Sequence, residues 1–275
     1  MNKLKTEKRK AIIAALMEGM GVNAISRITG VCKEAILKLQ KDLGCACAAY
    51  HHEHVRGLKP ERVECDEIWA FNYCKAKNVS KTKKRDISYG DTWLWTAIDA
   101  NSKLMITYFV GLRSSQDAHA FMDDLSGRVI DIGTLTTDGY GPYPQAVQAA
   151  FGLEVPYAQL VKHYDNPGVN ENRYSPGSCV GCEKRSVIGF PHADHISTSI
   201  IERSNLTLRM SLRRFTRLTN AHSKKIENHG HAVALFFMYY NYCRKHETLK
   251  GRTPAMAAGL ADHRWTLEEL IGLVG

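Results

Sequence analysis

What this sequence lacks narrows its class first. No stretch approaches the roughly 18 apolar residues that a membrane-spanning helix needs, since the longest apolar run, Ala232 to Tyr240, is bounded by His231 and Asn241. No membrane association is expected. Proline is scarce, 8 in 275 residues, while 44% of the residues are hydrophobic, so the chain can bury a sizeable core and is not a disordered polymer. Cysteine is too thin for a disulfide scaffold: the 8 residues, at 32, 45, 47, 65, 74, 179, 182 and 243, read as thiols. An apolar signal core is also missing, because MNKLKTEKRK leads into an amphipathic pattern, and a cytoplasmic, nucleoid-associated protein is expected. Acid is in deficit. With 28 Asp plus Glu against 37 Lys plus Arg, the net charge is +9 at pH 7, a balance common among nucleic-acid-binding proteins.

The first 44 residues are patterned as three helices. Ala11, Ile12, Ala15, Leu16 and Met20 recur at helical spacing. Gly19 and Gly21 interrupt that helix, Asn23 can cap a short second one carrying Ala24, Ile25 and Ile28, and Gly30 supplies a tight turn. A third helix is expected from Cys32 to Leu43, with Ile36, Leu37 and Leu39 buried and Lys33, Glu34, Lys38, Gln40 and Lys41 exposed. Residues 1–44 thus read as a helix-turn-helix domain, although a plain three-helix bundle shares the pattern. In the DNA-binding reading the third helix enters a major groove while Lys3, Lys5, Lys8, Arg9 and Lys10 neutralise phosphates. Residues 45–60 read as a solvated linker, and their Cys45, Cys47, His51, His52 and His54 match no common zinc spacing.

From residue 61 the pattern changes to strands alternating with helices. Arg62 to Trp69, Thr92 to Asp99 and Leu104 to Val110 form a predicted meander, followed by a helix over Gln116 to Leu125, a short strand over Thr134 to Thr137 and a helix over Tyr143 to Phe151. Asp66 falls inside a strand, where a carboxylate is costly without a cation or hydrogen-bond partners. Asp138 falls at the carboxyl end of a strand, where open α/β sheets keep their sites. Glu202 opens a predicted helix, Ser197 to Thr216, whose face includes Asn205 and Arg209. Between Arg203 and Lys225 there is no acid, and seven basic residues (Arg203, Arg209, Arg213, Arg214, Arg217, Lys224 and Lys225).

Two Asp and one Glu from separate elements suit phosphodiester chemistry. Cleavage and transfer of a phosphodiester benefit from two divalent ions roughly 4 Å apart, and hard carboxylate oxygens are the natural ligands of Mg²⁺. Asp66, Asp138 and Glu202 meet that description; Glu67 and Asp99 are neighbouring carboxylates, but Glu67 alternates to the opposite strand face from Asp66.

At these residues the chain resembles a DDE transposase of the insertion-sequence-one family. The motifs are Cys65-Asp66-Glu67-Ile68-Trp69, Thr137-Asp138-Gly139, and Ile201-Glu202-Arg203-Ser204-Asn205-Leu206 with Arg209 seven positions after the Glu. Arg214-Phe215-Thr216-Arg217, Phe237-Met238-Tyr239-Tyr240-Asn241 and Thr253-Pro254-Ala255-Met256-Ala257 extend the match over nearly the whole chain. The resemblance implies an α/β fold: a ribonuclease-H-like mixed sheet with flanking helices over residues 61–250, preceded by the small all-α helix-turn-helix domain and followed by a tail over 251–275. It implies cleavage and strand transfer of the element's terminal inverted repeats with Mg²⁺ or Mn²⁺, two ions held by Asp66, Asp138 and Glu202. Its partners would be double-stranded DNA and further copies of the chain. DNA contacts are expected from Arg203, Asn205, Arg209 and Arg213 beside the site and from Lys33, Lys38 and Lys41 on the third helix. A nuclease of the same fold, or a catalytically inactive DNA-binding regulator, are the alternatives.

Four features stand outside that frame. Residues 152–194 read as an irregular insertion, whose Cys179-x2-Cys182 with His192 and His195 is either a structural zinc site or a pair of surface thiols. Trp93 and Trp95 share one strand face and read as core. Lys75 to Arg85 carries six basic residues and no acid, either a solvated loop or a DNA-backbone contact. The segment Asn228 to His246 reads as one long helix serving core or interface.

Overall fold

A computed structural model describes residues 4–80, 88–165, 178–216 and 220–275. Lys3, Arg217 and the 81–87 half of the basic run lie outside the described residues. The β-branched and aromatic runs form β1 (Arg62–Asn72), β2 (Gly90–Asp99), β3 (Met105–Gly111), β4 (Thr134–Thr137), β5 (Tyr157–Tyr164) and β6 (Cys179–Ile188), hydrogen-bonded in the order β3-β2-β1-β4-β5-β6. β1 to β3 are an antiparallel meander, β4 and β5 run parallel to β1 and to each other, and β6 turns back antiparallel. This six-stranded mixed sheet with flanking helices is compatible with the ribonuclease-H-like expectation.

From Val63 to Ile68 β1 is buried along both faces, apart from the partly open Asp66, which is the mark of a strand covered by helices on each side. On one side lie α4 (Ser115–Ser126) and α5 (Tyr143–Phe151), with Trp95 and Tyr143 in edge-to-face contact at 5.7 Å. Trp95 is core, as its sequence pattern suggests. On the other side lies α6 (Ser199–Ser211), while α7 (Ile226–Met238) packs Phe237 on Tyr108 of β3 at 5.0 Å.

The N-terminal helices are α1 (Thr6–Met17), α2 (Val22–Thr29) and α3 (Lys33–His54), with Gly30 in the left-handed conformation between the last two. The expected linker is a correction. α3 does not stop at Leu43 but runs to His54, because Leu43, Gly44, Cys47 and His51 continue its buried stripe against the half of the chain that carries the sheet. Gly44 lies so close to α7 that a Cβ there would stand 2.6 Å from the His231 Cβ and carbonyl oxygen. His51 sits against the Met105 carbonyl oxygen at 3.1 Å. Gln40, expected outside, is buried: it donates to the Asn228 carbonyl and accepts from Arg214 Nη2 at 3.1 Å.

Four further boundaries differ from the sequence expectation. The described residues of the supposed insertion carry a regular antiparallel pair, β5 and β6, and residues 166–177 of it lie outside the described residues. α6 ends at Ser211, where Leu212 turns to extended backbone, and α7 gives way at Tyr239–Cys243 to one wider π-type turn that buries Tyr240, Asn241, Tyr242 and Cys243. The supposed tail carries α8 (Pro254–Ala257) and α9 (Leu267–Gly272); it is packed, with Leu270 and Ile271 buried and Trp265 against Tyr50 of α3 and Tyr242. Lys10 of α1 pairs with Glu268 of α9.

Candidate active site

The register of β1 and β4 builds the site. Glu64 pairs with Thr136 in the parallel ladder, so Asp138, two residues further on, comes level with Asp66. Pairing ends at Glu64, and Asp138 starts a turn in which the Tyr140 N–H donates to Asp138 Oδ1 at 2.9 Å. Because β1 has a turn rather than a strand beside it there, side chains from both of its faces reach the Asp138 carboxylate. Glu67 keeps to the opposite face of β1 from Asp66, as alternation requires, and yet oxygens of Asp66, Glu67 and Asp138 lie within 4.8 Å of one another. Asp99, the other neighbouring acid, instead accepts from the Asn101 N–H in the β2–β3 turn.

α6 is fixed over β1 by a carboxylate that sequence reasoning passed over. Glu64, 1% exposed, accepts from the N–H groups of Ile200 and Ile201 through one oxygen, at 2.8 and 2.9 Å. These are unpaired donors of the first helical turn, so a strand residue caps a helix more than 130 positions away in sequence. One turn further on, Asn205 Nδ2 donates to Asp66 Oδ2 at 2.6 Å. Asn205, expected to contact DNA, is buried, and this bond holds its amide on Asp66 at the wall of the cleft.

Glu202 lines the same open cleft, of about 760 Å³, with Asp66, Asp138, Arg113, Lys162, Thr198, Asn205 and Arg209. It is outside the close group of three, held by Lys162 Nζ from β5 and by the Thr198 hydroxyl, which donates to its Oε1 at 2.6 Å. The structure thus brings Asp66 and Asp138 together and sets Glu202 across the cleft. Lys162 and Arg113 carry no local sequence signal; only the fold shows them. Arg113 Nη2 stands 3.6 Å from Asp138 Oδ2 and 3.7 Å from Glu67 Oε2. Its guanidinium lies over the Tyr140 ring at 4.2 Å and the Trp93 ring at 4.9 Å.

Crowding of acids sets their proton affinity. Burial, then the charge of Asp138, pushes Asp66 up to about 7. Glu67 is pushed up to about 8 by burial and again by Asp138, against the opposing pull of Arg113. Asp138 is raised by burial. Three hard oxygen donors at this spacing, with Oε1 of Glu67 buried and lacking a hydrogen-bond partner, fit a divalent cation of the Mg²⁺ or Mn²⁺ kind.

The other sequence-selected residues fall as follows. Arg203 and Arg213 are exposed and Arg209 borders the cleft. Lys33, Lys38 and Lys41 are exposed on α3, and Lys38 pairs with Asp42 at 2.5 Å. Cys179 and Cys182 have sulfurs 3.8 Å apart, and His192 and His195 have rings 4.6 Å apart. The two pairs are not brought together: among the described residues, no three of these four place ligand atoms within 4.8 Å of one another. The physical reason is β6, which carries the chain from the Cys pair toward its other end before the His192 N–H bonds to Thr134 Oγ1 at the start of β4. Among the described residues no helix is long and apolar enough to cross a membrane.

Comparison with known proteins adds one relative. No family model matches the chain. It is 26% identical over 180 residues to the insertion element iso-IS1n protein InsB of Shigella dysenteriae, a stretch covering 64% of this chain and 96% of that protein.

Proposed function

We propose that this chain is an insertion-sequence DNA transposase that binds the ends of its element and cuts and joins DNA with divalent cations. The observation that carries the reading is the adjacency of Asp66 and Asp138 at one end of the sheet, with Glu202 across a cleft lined by Arg113, Lys162 and Arg209. Similarity to a protein of an insertion element supports it. Asp66 and Asp138 would hold one cation, and Glu202 would contribute to a second. When bound, divalent cations supply neutralisation of phosphate charge and polarisation of the oxygens that attack and leave.

The chain's own groups do the rest. Asn205 holds the Asp66 carboxylate in one orientation, and the Glu64 cap sets α6 so that Glu202 faces Asp66 across the cleft. Arg209, with Arg203 and Arg213 further out, offers positive charge to the DNA backbone. α1 to α3 form the end-recognition element, with Lys33, Lys38 and Lys41 toward DNA. Two element ends must be held together for joining, so the working form is a homo-oligomer.

The test is divalent-metal-dependent cleavage and joining of labelled DNA carrying the element's own end. Wild type is expected to cut and join in Mg²⁺, while Asp138→Ala and Glu202→Ala bind that DNA and do neither. Cutting without joining turns the reading to a nuclease. Binding without any cutting by wild type turns it to a regulator.

A further inference from the structure

The acid that the proposed chemistry leaves idle is the most enclosed one at the cleft. The Glu67 side chain is 1% exposed, against 36% for Asp138. A carboxylate this deep is costly unless it is paired or bound to a cation. Its pairing is incomplete: Oε2 stands 3.7 Å from Arg113 Nη2, and Oε1 is buried with no partner at hydrogen-bond distance, the Tyr143 hydroxyl, itself unpartnered, being near enough only to pull the Glu67 proton affinity down a little. The same guanidinium nitrogen is 3.6 Å from Asp138, so within this group one positive charge is shared by two carboxylates while a third, Asp66, stands within 4.8 Å of both. Asp66 is served by neutral donors, the Asn205 amide and the Glu67 N–H at 2.8 Å.

The spacing is that of a ligand set. Oxygens around one octahedral Mg²⁺ at about 2.1 Å stand roughly 3 to 4 Å apart, which the three carboxylates reach with small side-chain adjustments. Glu202 cannot take the same place without giving up Lys162 and the Thr198 hydroxyl. Arg113 is differently placed. Its side chain is 35% exposed and rests on two aromatic faces, so it can slide outward along Tyr140 without entering a buried space.

From this geometry we infer that Glu67 is the third carboxylate of the cation site on Asp66 and Asp138, and that Arg113 competes with the cation for it. The inference rests on the metal-dependent reading above but needs no DNA, and it leaves Glu202 to the second cation. It is a statement about which residues of this chain bind, and direct binding tests it.

The experiment is titration of Mn²⁺ into the full chain without DNA, with free Mn²⁺ read by electron paramagnetic resonance. Glu67→Gln and Asp66→Asn are each expected to weaken binding at least tenfold. Glu202→Gln is expected to change it less than threefold, and Arg113→Met to strengthen it several-fold. Wild-type binding by a folded Glu67→Gln protein overturns the inference, leaving Glu67 as a buried counter-ion for Arg113. If Glu67→Gln does not fold, as read by circular dichroism, Arg113→Met decides: tighter Mn²⁺ supports the inference, and unchanged or weaker Mn²⁺ overturns it. The two readings fail separately. The expected Mn²⁺ pattern with no DNA cleavage by wild type sinks the transposase proposal alone, whereas cleavage by wild type with Mn²⁺ binding indifferent to Glu67 sinks this inference alone.

Discussion

Asn205 Nδ2 donates to Asp66 Oδ2 at 2.6 Å, joining α6 to β1 at the carboxylate on which the site depends. An orienting partner of this kind typically changes metal affinity or activity 10- to 100-fold when removed. Asn205→Ala is therefore expected to lower DNA cleavage by about that factor while end binding, measured by gel shift, stays within about twofold. Asn205→Asp adds a charge beside three carboxylates and should be worse than Ala. Equal cleavage by wild type and Asn205→Ala would show that Asp66 holds its position unaided.

Glu64 predicts a stability effect. Replacing it with Ala removes the acceptor for one buried N–H group, Ile201, at a cost of about 1–3 kcal/mol when left unsatisfied, and for one part-buried group, Ile200, at a smaller cost. Thermal unfolding of Glu64→Ala should fall by several degrees at least, at about 2–4 °C per kcal/mol for a chain near this size. Glu64→Gln keeps a neutral acceptor and should recover most of the loss. A Gln variant no better than Ala would mean that the charge, not the hydrogen bonds, holds α6.

The raised acids give a pH dependence whose sign is fixed. Unfolded, Asp66 and Glu67 titrate near 4; folded, they titrate at about 7 and about 8. Up to those values the folded chain holds more protons than the unfolded one, so stability falls as pH rises. The buried histidines act oppositely: His51, His229 and His246 are held neutral, lowered to about 4, 3 and 4, so the stability they cost is felt only below about 6.5. Between pH 6.5 and 8.5 these three histidines are silent. His263, raised by its bonds to Glu269 and Asp262, and the thiols of Cys47, Cys65 and Cys243, raised by burial, shift stability in the same direction as the carboxylates. The difference between wild type and Glu67→Gln therefore isolates the carboxylate share. Melting temperature in chelator should drop across that window, drop less in Glu67→Gln, and drop less again in saturating Mg²⁺. A rise across it would contradict the site's electrostatics.

Gly44 and Gly230 should respond with opposite signs. A Cβ at Gly44 meets the His231 backbone at 2.6 Å, and an overpacked seam typically costs about 1–3 kcal/mol. Gly230, in the middle of α7, has nothing within 4 Å of its Cβ direction, so Ala there should gain up to about 1 kcal/mol from helix propensity. Differential scanning calorimetry on the two single variants checks this, and a neutral Gly44→Ala would mean that α3 and α7 part easily.

Lys33, Lys38 and Lys41 are exposed along α3. If they meet phosphates, each Ala substitution should lower the slope of log K against log salt by about 0.9. Lys38, already paired with Asp42, should give the smallest change. A slope unmoved by all three places DNA elsewhere on the chain.

Much of this was legible in the residues. The strand-helix alternation marked every strand of the sheet except β5 and β6, and the anomaly of an acid inside a strand pointed to Asp66. What sequence could not show follows from tertiary register. Glu67 was set aside by the two-residue alternation of a strand, a rule that holds for the faces but does not keep their side chains apart where the neighbouring strand has become a turn. Lys162 and Arg113 reach the cleft from β5 and from the segment after β3, elements with no local cue that they end there. Glu64 did leave a signal, an acid two positions before Asp66 and so on its face, which reads in retrospect as a second strand carboxylate in need of a partner. The linker reading failed because a polar surface on residues 45–54 hid a narrow buried stripe of Cys47 and His51.

That continuous α3 has a geometric consequence. Twenty-two helical residues at about 1.5 Å each make a stiff rod of roughly 33 Å, close to one turn of B-form DNA. One end of the rod presents the lysines and the other is bolted to the half of the chain that carries the acids. If α1 to α3 read the element end as proposed, such a rod is a ruler: where the protein would cut, counted in base pairs from what it reads, follows the length of a helix rather than the slack of a tether.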